Sequence, residues 1–169
     1  ADVQTGIRAV AAFALANAAG RIIWGWVFDR GRSTAILQAN LLLQAGVLLL
    51  HTWLLRSNTG LMLFAVLSGF NYGGILVLYA SAAAETWGSE RISKIYGWLF
   101  SANIPADAAP VLAGMAFDRL GSFAPVLWGI AGLMVCGVLA LGTGVNLKIH
   151  HLKNIHSNQN VNRVRAEAN

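Results

Sequence analysis

Five apolar runs, each close to the length of a bilayer-crossing helix and parted only by short polar breaks, constrain this chain more than any other feature. They cover residues 3–28, 34–55, 61–86, 93–117 and 123–145, and about 20 residues of helix cross the ~30 Å of hydrocarbon in a bilayer. The breaks at 29–33, 56–60, 87–92 and 118–122 are short enough to make sequential helices antiparallel neighbours. With 56% hydrophobic and only 11% charged residues, the chain has about half the charge of an ordinary soluble domain, so lipid is expected to be its main solvent. Its 18 glycines against 3 prolines suit helices that approach closely, because small side chains let backbones meet where no hydrophobic effect drives association.

The net charge of +5 is read by position. Arg30, Arg32, Arg91, Lys94, Lys148 and Lys153 fall on one side of the expected topology and only Arg56 and Arg119 on the other, which predicts a cytoplasmic C-terminus and an N-terminus outside, in the cell membrane. Basic residues so distributed give no nucleic-acid signal. The tail, 146–169, is polar, Asn-rich and basic, so it is expected in the cytosol or against anionic headgroups. Its His150, His151 and His156 lack accompanying Cys or carboxylate ligands, so no metal site is expected. Arg8 and Asn17 interrupt the first run, which argues against a secretory signal. A start at Ala1 without methionine predicts a chain that begins mid-protein or after processing, and an odd number of crossings predicts a missing partner segment. The chain has no phosphate-binding Gly-Lys-Ser/Thr loop and no His-Glu-x-x-His, and Cys136 has no nearby base, so neither an enzyme nor a cofactor is expected.

An internal echo bears on architecture. Gly25-Trp26-Val27-Phe28-Asp29-Arg30 after the first run recurs as Gly114-Met115-Ala116-Phe117-Asp118-Arg119 after the fourth, and the topology puts the copies on opposite faces. An inverted-topology repeat of three helices produces that relation. One helix before Ala1 then completes a six-helix bundle. The plain alternative is a recurring turn in which Asp and Arg mark the interface.

The run from Asn17 to Arg32, which holds Gly20-Arg21 and Gly25-x-x-x-Asp29-Arg30-Gly31-Arg32, resembles the signature joining the eighth and ninth helices of major facilitator superfamily transporters, most closely the branch with oxalate/formate antiporters and monocarboxylate transporters. Gly69-Phe70-Asn71-Tyr72-Gly73-Gly74 is similar to that branch's tenth helix, and Tyr96-Gly97-Trp98-Leu99-Phe100-Ser101-Ala102 to its eleventh. The resemblance implies helices eight to twelve of twelve, a partial C-terminal bundle working by alternating access about a midplane site, with the first half in the same gene or a partner chain. It also implies carboxylate recognition by Arg21 and a cytoplasmic charge relay from Asp29 and Arg30, which otherwise simply end the helix.

Depth ranks the polar residues inside the runs. At ~1.5 Å of rise per residue from the expected cytoplasmic ends, Arg21 and Tyr79 lie roughly 11 Å deep, and Asn17 and Asn103 roughly 15 to 17 Å. An arginine within hydrocarbon costs about 2.5 to 3.5 kcal/mol on insertion scales, so Arg21 is expected to face water, a counter-ion or an anionic ligand. Its planar fork meets both carboxylate oxygens at once. The alternative is a snorkelling or gating arginine. Asn17, one turn earlier, is placed to orient the guanidinium or the ligand. Pro105 and Pro110 predict a kinked fourth helix facing a cavity. The oxalate-type branch has a lysine where this chain has Asn103, which favours a monocarboxylate over a dicarboxylate. Asp107 is either a proton-coupling carboxyl or a structural partner of Arg8 or Arg21. Tyr72 and Tyr79 share a face that either looks into the cavity or packs. Gln38, Asn40, Gln44 and Asn71 read as interhelical hydrogen-bond partners, Gly69 and Gly73 as a close-packing pair, and His51 as a hydrated interfacial residue. Two functions stay open: transport of a small organic anion, or a non-transporting remnant or assembly subunit that retains the fold.

Overall fold

The structure, a computed structural model, describes residues 3–88, 90, 92–101, 104 and 108–144. Asn103, Pro105, Asp107 and the tail, on which several expectations fall, lie outside the described residues. The described residues form α1 (Val3–Phe28), α2 (Ser33–Leu49), α3 (His51–Leu54), α4 (Asn58–Trp87), α5 (Ile92–Ser101), α6 (Ala109–Leu120) and α7 (Ala124–Gly144). This is an all-α membrane bundle. Among the described residues α1, α4 and α7 are each long and apolar enough to cross a membrane, and α2 is a shorter apolar helix of 17 residues.

Where the sequence reads as one run, 34–55, the helix is interrupted only at Leu50, and the Leu50 amide still donates to Gly46 O (3.0 Å) while Leu54 N donates to Leu50 O (3.0 Å). The His51 ring causes the local disturbance: its Nδ1–H donates to the Leu48 carbonyl at 2.6 Å and competes with the main chain for that acceptor. His51 is buried, with Trp128 edge-on at 6.3 Å, so the expected hydrated position is corrected. Helical periodicity aims the ring at α7 rather than at the headgroups.

Pro110 also differs from expectation. It sits in the first turn of α6, where the amide it lacks has no helical acceptor to serve, so it starts a helix rather than kinking one. That helix ends on Gly121, whose φ of 65° is a left-handed cap, and Phe117 and Phe123 stack across the turn with centroids 4.6 Å apart.

Close approach of small residues sets the core. A methyl group on Gly69 would strike the Phe13 carbonyl, one on Gly73 the Asn17 carbonyl, and one on Gly20 the Phe70 carbonyl, so α1 and α4 touch backbone to backbone. The pairs Phe13–Gly69, Asn17–Gly73 and Trp24–Gly74 ascend together, which makes α1 and α4 parallel. The other face of α4 holds α2 antiparallel. There Asn40 Nδ2 donates to Asn71 Oδ1 (2.8 Å) and Asn71 O (3.1 Å), and Asn71 Nδ2 donates to Asn40 O (2.8 Å) and Gln44 Oε1 (3.2 Å). Trp24, Ile36, Leu37 and Leu78 close the apolar core beside this clamp. The far side of α2 carries α7, through Gln38 Nε2 donating to Val138 O (3.0 Å) and through Ala45 and Leu48 against Ala131.

The order across the bundle is therefore α1, α4, α2, α7. Ser33 meets Glu85 at one end and His51 meets Trp128 at the other, so the Asp29-Arg30 and Asp118-Arg119 turns stand at opposite ends of the bundle. Asn71→Leu is expected to lower stability by about 1 kcal/mol, near the middle of measured interhelical hydrogen bonds in membranes, because it removes the Oδ1 acceptor of the buried Asn40 amide and the donor to Asn40 O and Gln44 Oε1, leaving Asn40 Nδ2 only the main-chain carbonyl at position 71. The double variant Asn40→Leu/Asn71→Leu should recover part of that loss. A chemical-unfolding midpoint in detergent reads both.

Candidate functional site

The face that α1 turns to α4 is built from Ala9, Phe13, Asn17, Gly20 and Trp24, at steps of three and four residues. Arg21 follows Gly20 and is turned about 100° from it, so it falls off that stripe. It is exposed and makes no hydrogen bond or ion pair with a described residue. The contacts Asn17–Gly73 and Trp24–Gly74 bracket it, so it stands level with the small-residue surface of α4 in the middle of the helix.

Tyr72 lies near that level. It is exposed, with Phe13 tilted against it at 6.1 Å between centroids. Tyr79 is elsewhere: it packs, partly buried, against the Trp24, Ile36, Leu37 and Leu78 core. Because Gly25 meets Val77 at 3.4 Å, Tyr79 is level with about Val27, roughly 9 Å of helix rise beyond Arg21. Counting from helix ends places the two residues in one layer. The packing register separates them, since α4 runs about two turns past the end of α1.

Asn17 does not reach the guanidinium. Its Oδ1 is buried against Gly73 without a hydrogen-bond partner among the described residues. Two more buried polar atoms lack a partner among the described residues, Trp24 Nε1 and Ser68 Oγ, which sequence reasoning missed. Leaving such an atom dry and unpaired costs about 1 to 3 kcal/mol. Only periodicity could have found them: Trp24 continues the α1 stripe from Gly20, and Ser68 adjoins Gly69.

At the end of α1 the amide of Asp29 donates to Gly25 O (3.0 Å) and that of Arg30 to Val27 O (3.2 Å), a tightening final turn. Arg30 folds back, its guanidinium 4.2 Å from the Trp26 ring centroid and Nη1 donating to Trp26 O at 3.4 Å. Asp29, Arg30 and Arg32 form no ion pair among the described residues. Asp118 and Arg119 are exposed in the last turn of α6. Beyond the α1 turn, a cavity of about 660 Å³ is lined by Arg32, Ser33, Gln38, Glu85 and Gly142, where the Ser33 hydroxyl donates to the Glu85 carboxylate. Neither Ser33 nor Glu85 stood out in the sequence, because their meeting depends on the antiparallel register of α2 on α4.

Among the described residues, then, an apolar parallel pair of helices carries one exposed arginine that no described acceptor pairs. Monocarboxylate transporter 10 of Danio rerio is similar to the chain, 31% identical over 127 residues, which is 73% of this chain and 25% of that protein. The chain thus spans about a quarter of that relative's length. No family model matches the chain. No solved structure matches it.

Proposed function

We propose that the chain is the substrate-handling later part of a major facilitator transporter that moves a small monocarboxylate across the membrane by alternating access. The observation that carries this reading is Arg21, a guanidinium held two turns inside the end of α1, on a backbone-tight helix pair, and bound to no described acceptor. Such a group is expensive in lipid and calls for water or an anion. Arg21 clamps the carboxylate through its two parallel N–H donors. Tyr72, exposed on α4 near the same level, adds its hydroxyl or ring face.

Asn17 supports the site from behind, by filling the α1–α4 contact at Gly73, rather than by touching the substrate. Tyr79 packs. Asn103 and Asp107 complete the proposal, the first in place of a second cation and the second as the carboxyl that couples substrate to a proton. Helices contributed by the rest of the transporter close the cavity, the N-terminus of this chain lies outside, and the tail is cytoplasmic. The name of the similar transporter supports a monocarboxylate cargo. Uptake of labelled monocarboxylates and dicarboxylates by the full transporter containing this chain, with Arg21 variants, tests the reading. Uptake that is blind to the carboxylate, or unchanged in Arg21→Ala, removes it.

A further inference from the structure

The end of α1 carries a second arrangement, apart from Arg21. Leu15, Ile22 and Trp26 recur at steps of seven and four, so they share one face of α1, turned away from the stripe that packs on α4. All are exposed, Leu15 at 74%, Ile22 at 75% and Trp26 at 57%. Four residues on, Arg30 lays its guanidinium over the Trp26 indole. An indole is at home at the boundary between hydrocarbon and headgroups. A guanidinium stacked on it is already desolvated on one side, and its edge keeps donors free for a planar or tetrahedral oxyanion. Arg32 stands two residues further along the same exposed turn.

The local acids do not neutralise this pair. Asp29 makes no ion pair with either arginine among the described residues, and Glu85, across the cavity from Arg32, accepts the Ser33 hydroxyl. An apolar stripe that runs into an aromatic ring, then into two guanidiniums without a carboxylate partner among the described residues, Arg30 using one Nη1 donor on Trp26 O, has the order of a phospholipid: chain, glycerol, phosphate.

We propose that Trp26, Arg30 and Arg32 form a binding surface for the phosphate headgroup of an anionic phospholipid, whose acyl chain lies along Ile22 and Leu15. The inference rests on the chain being embedded in a membrane and is independent of the transport reading.

Native mass spectrometry of the full chain in detergent, titrated with phosphatidylglycerol and with phosphatidylcholine, tests it. Each basic residue near the surface strengthens attraction to anionic lipid by about fivefold, so phosphatidylglycerol is expected to be preferred and Arg30→Gln/Arg32→Gln to lose roughly 25-fold of that preference. Arg56→Gln, at the other end of the bundle, should lose little. Equal losses in the two variants, or no loss in the first, would overturn the proposal. A readout that leaves the arginines intact covers the case in which the double variant fails to insert. Brominated phosphatidylglycerol should quench the tryptophan fluorescence of the wild type more than that of Trp26→Phe, by a larger margin than brominated phosphatidylcholine does. Identical margins overturn the proposal equally.

Discussion

Gly73→Leu is expected to separate α1 from α4 and to remove most of the folded protein. The first carbon of the new side chain would overlap the Asn17 main-chain carbonyl, which belongs to a helix, and would also lie 2.9 Å from Asn17 Oδ1, the end of a side chain. The side chain can turn away, but the carbonyl cannot step aside alone. The remaining route is to move the helix axes apart, which also opens the Phe13–Gly69 and Gly20–Phe70 contacts, because all three lie along one seam. Overpacking ordinarily costs about 1 to 3 kcal/mol, and a backbone-to-backbone seam places this change at or above the upper figure. Gly69→Leu should behave alike. Gly46→Leu, on α2, has nothing within 4 Å of its first carbon and should be tolerated. Unfolding midpoints in detergent, read together with yield, decide the matter. A Gly73→Leu chain as stable as the Gly46→Leu chain means that the two helices do not meet as described.

Arg21 carries the second large effect, on transport rather than on stability. Charge-assisted hydrogen bonds contribute about 1.5 to 3 kcal/mol each way, so Arg21→Ala should cut carboxylate uptake roughly tenfold to hundredfold in the full transporter. Arg21→Lys keeps the charge but loses the fork, and should retain an intermediate rate with weaker discrimination between a carboxylate and a spherical anion. Folding should hardly change, since the side chain is exposed and contacts no described polar group. Protein yield then separates a binding loss from a folding loss. A variant that folds poorly and transports normally per molecule would mean that Arg21 is a structural residue.

Much of the fold was legible because a bilayer enforces simple rules. Long apolar runs must be helices, since lipid offers no partner for a free amide, and short polar breaks must turn the chain back on itself. The Gly69–Gly73 pair and the amides Asn40, Gln44 and Asn71 were readable for the same reason: small residues and amides in lipid find other helices. The site was less legible. Arg21 stands out in any apolar run, yet its depth relative to Tyr79 depends on how far α4 slides along α1, and no spacing within one helix contains that offset.

The sequence by itself determined that this chain is built of membrane-embedded helices and that Arg21 interrupts an apolar run, because hydropathy and charge act residue by residue. Only the tertiary structure decided that Asn17 faces Gly73 instead of Arg21, that His51 is buried under Trp128, that Arg30 rests on Trp26, and that Ser33 meets Glu85. Those outcomes depend on the register and rotation of whole helices. A handful of glycine contacts between backbones far apart in the chain set both.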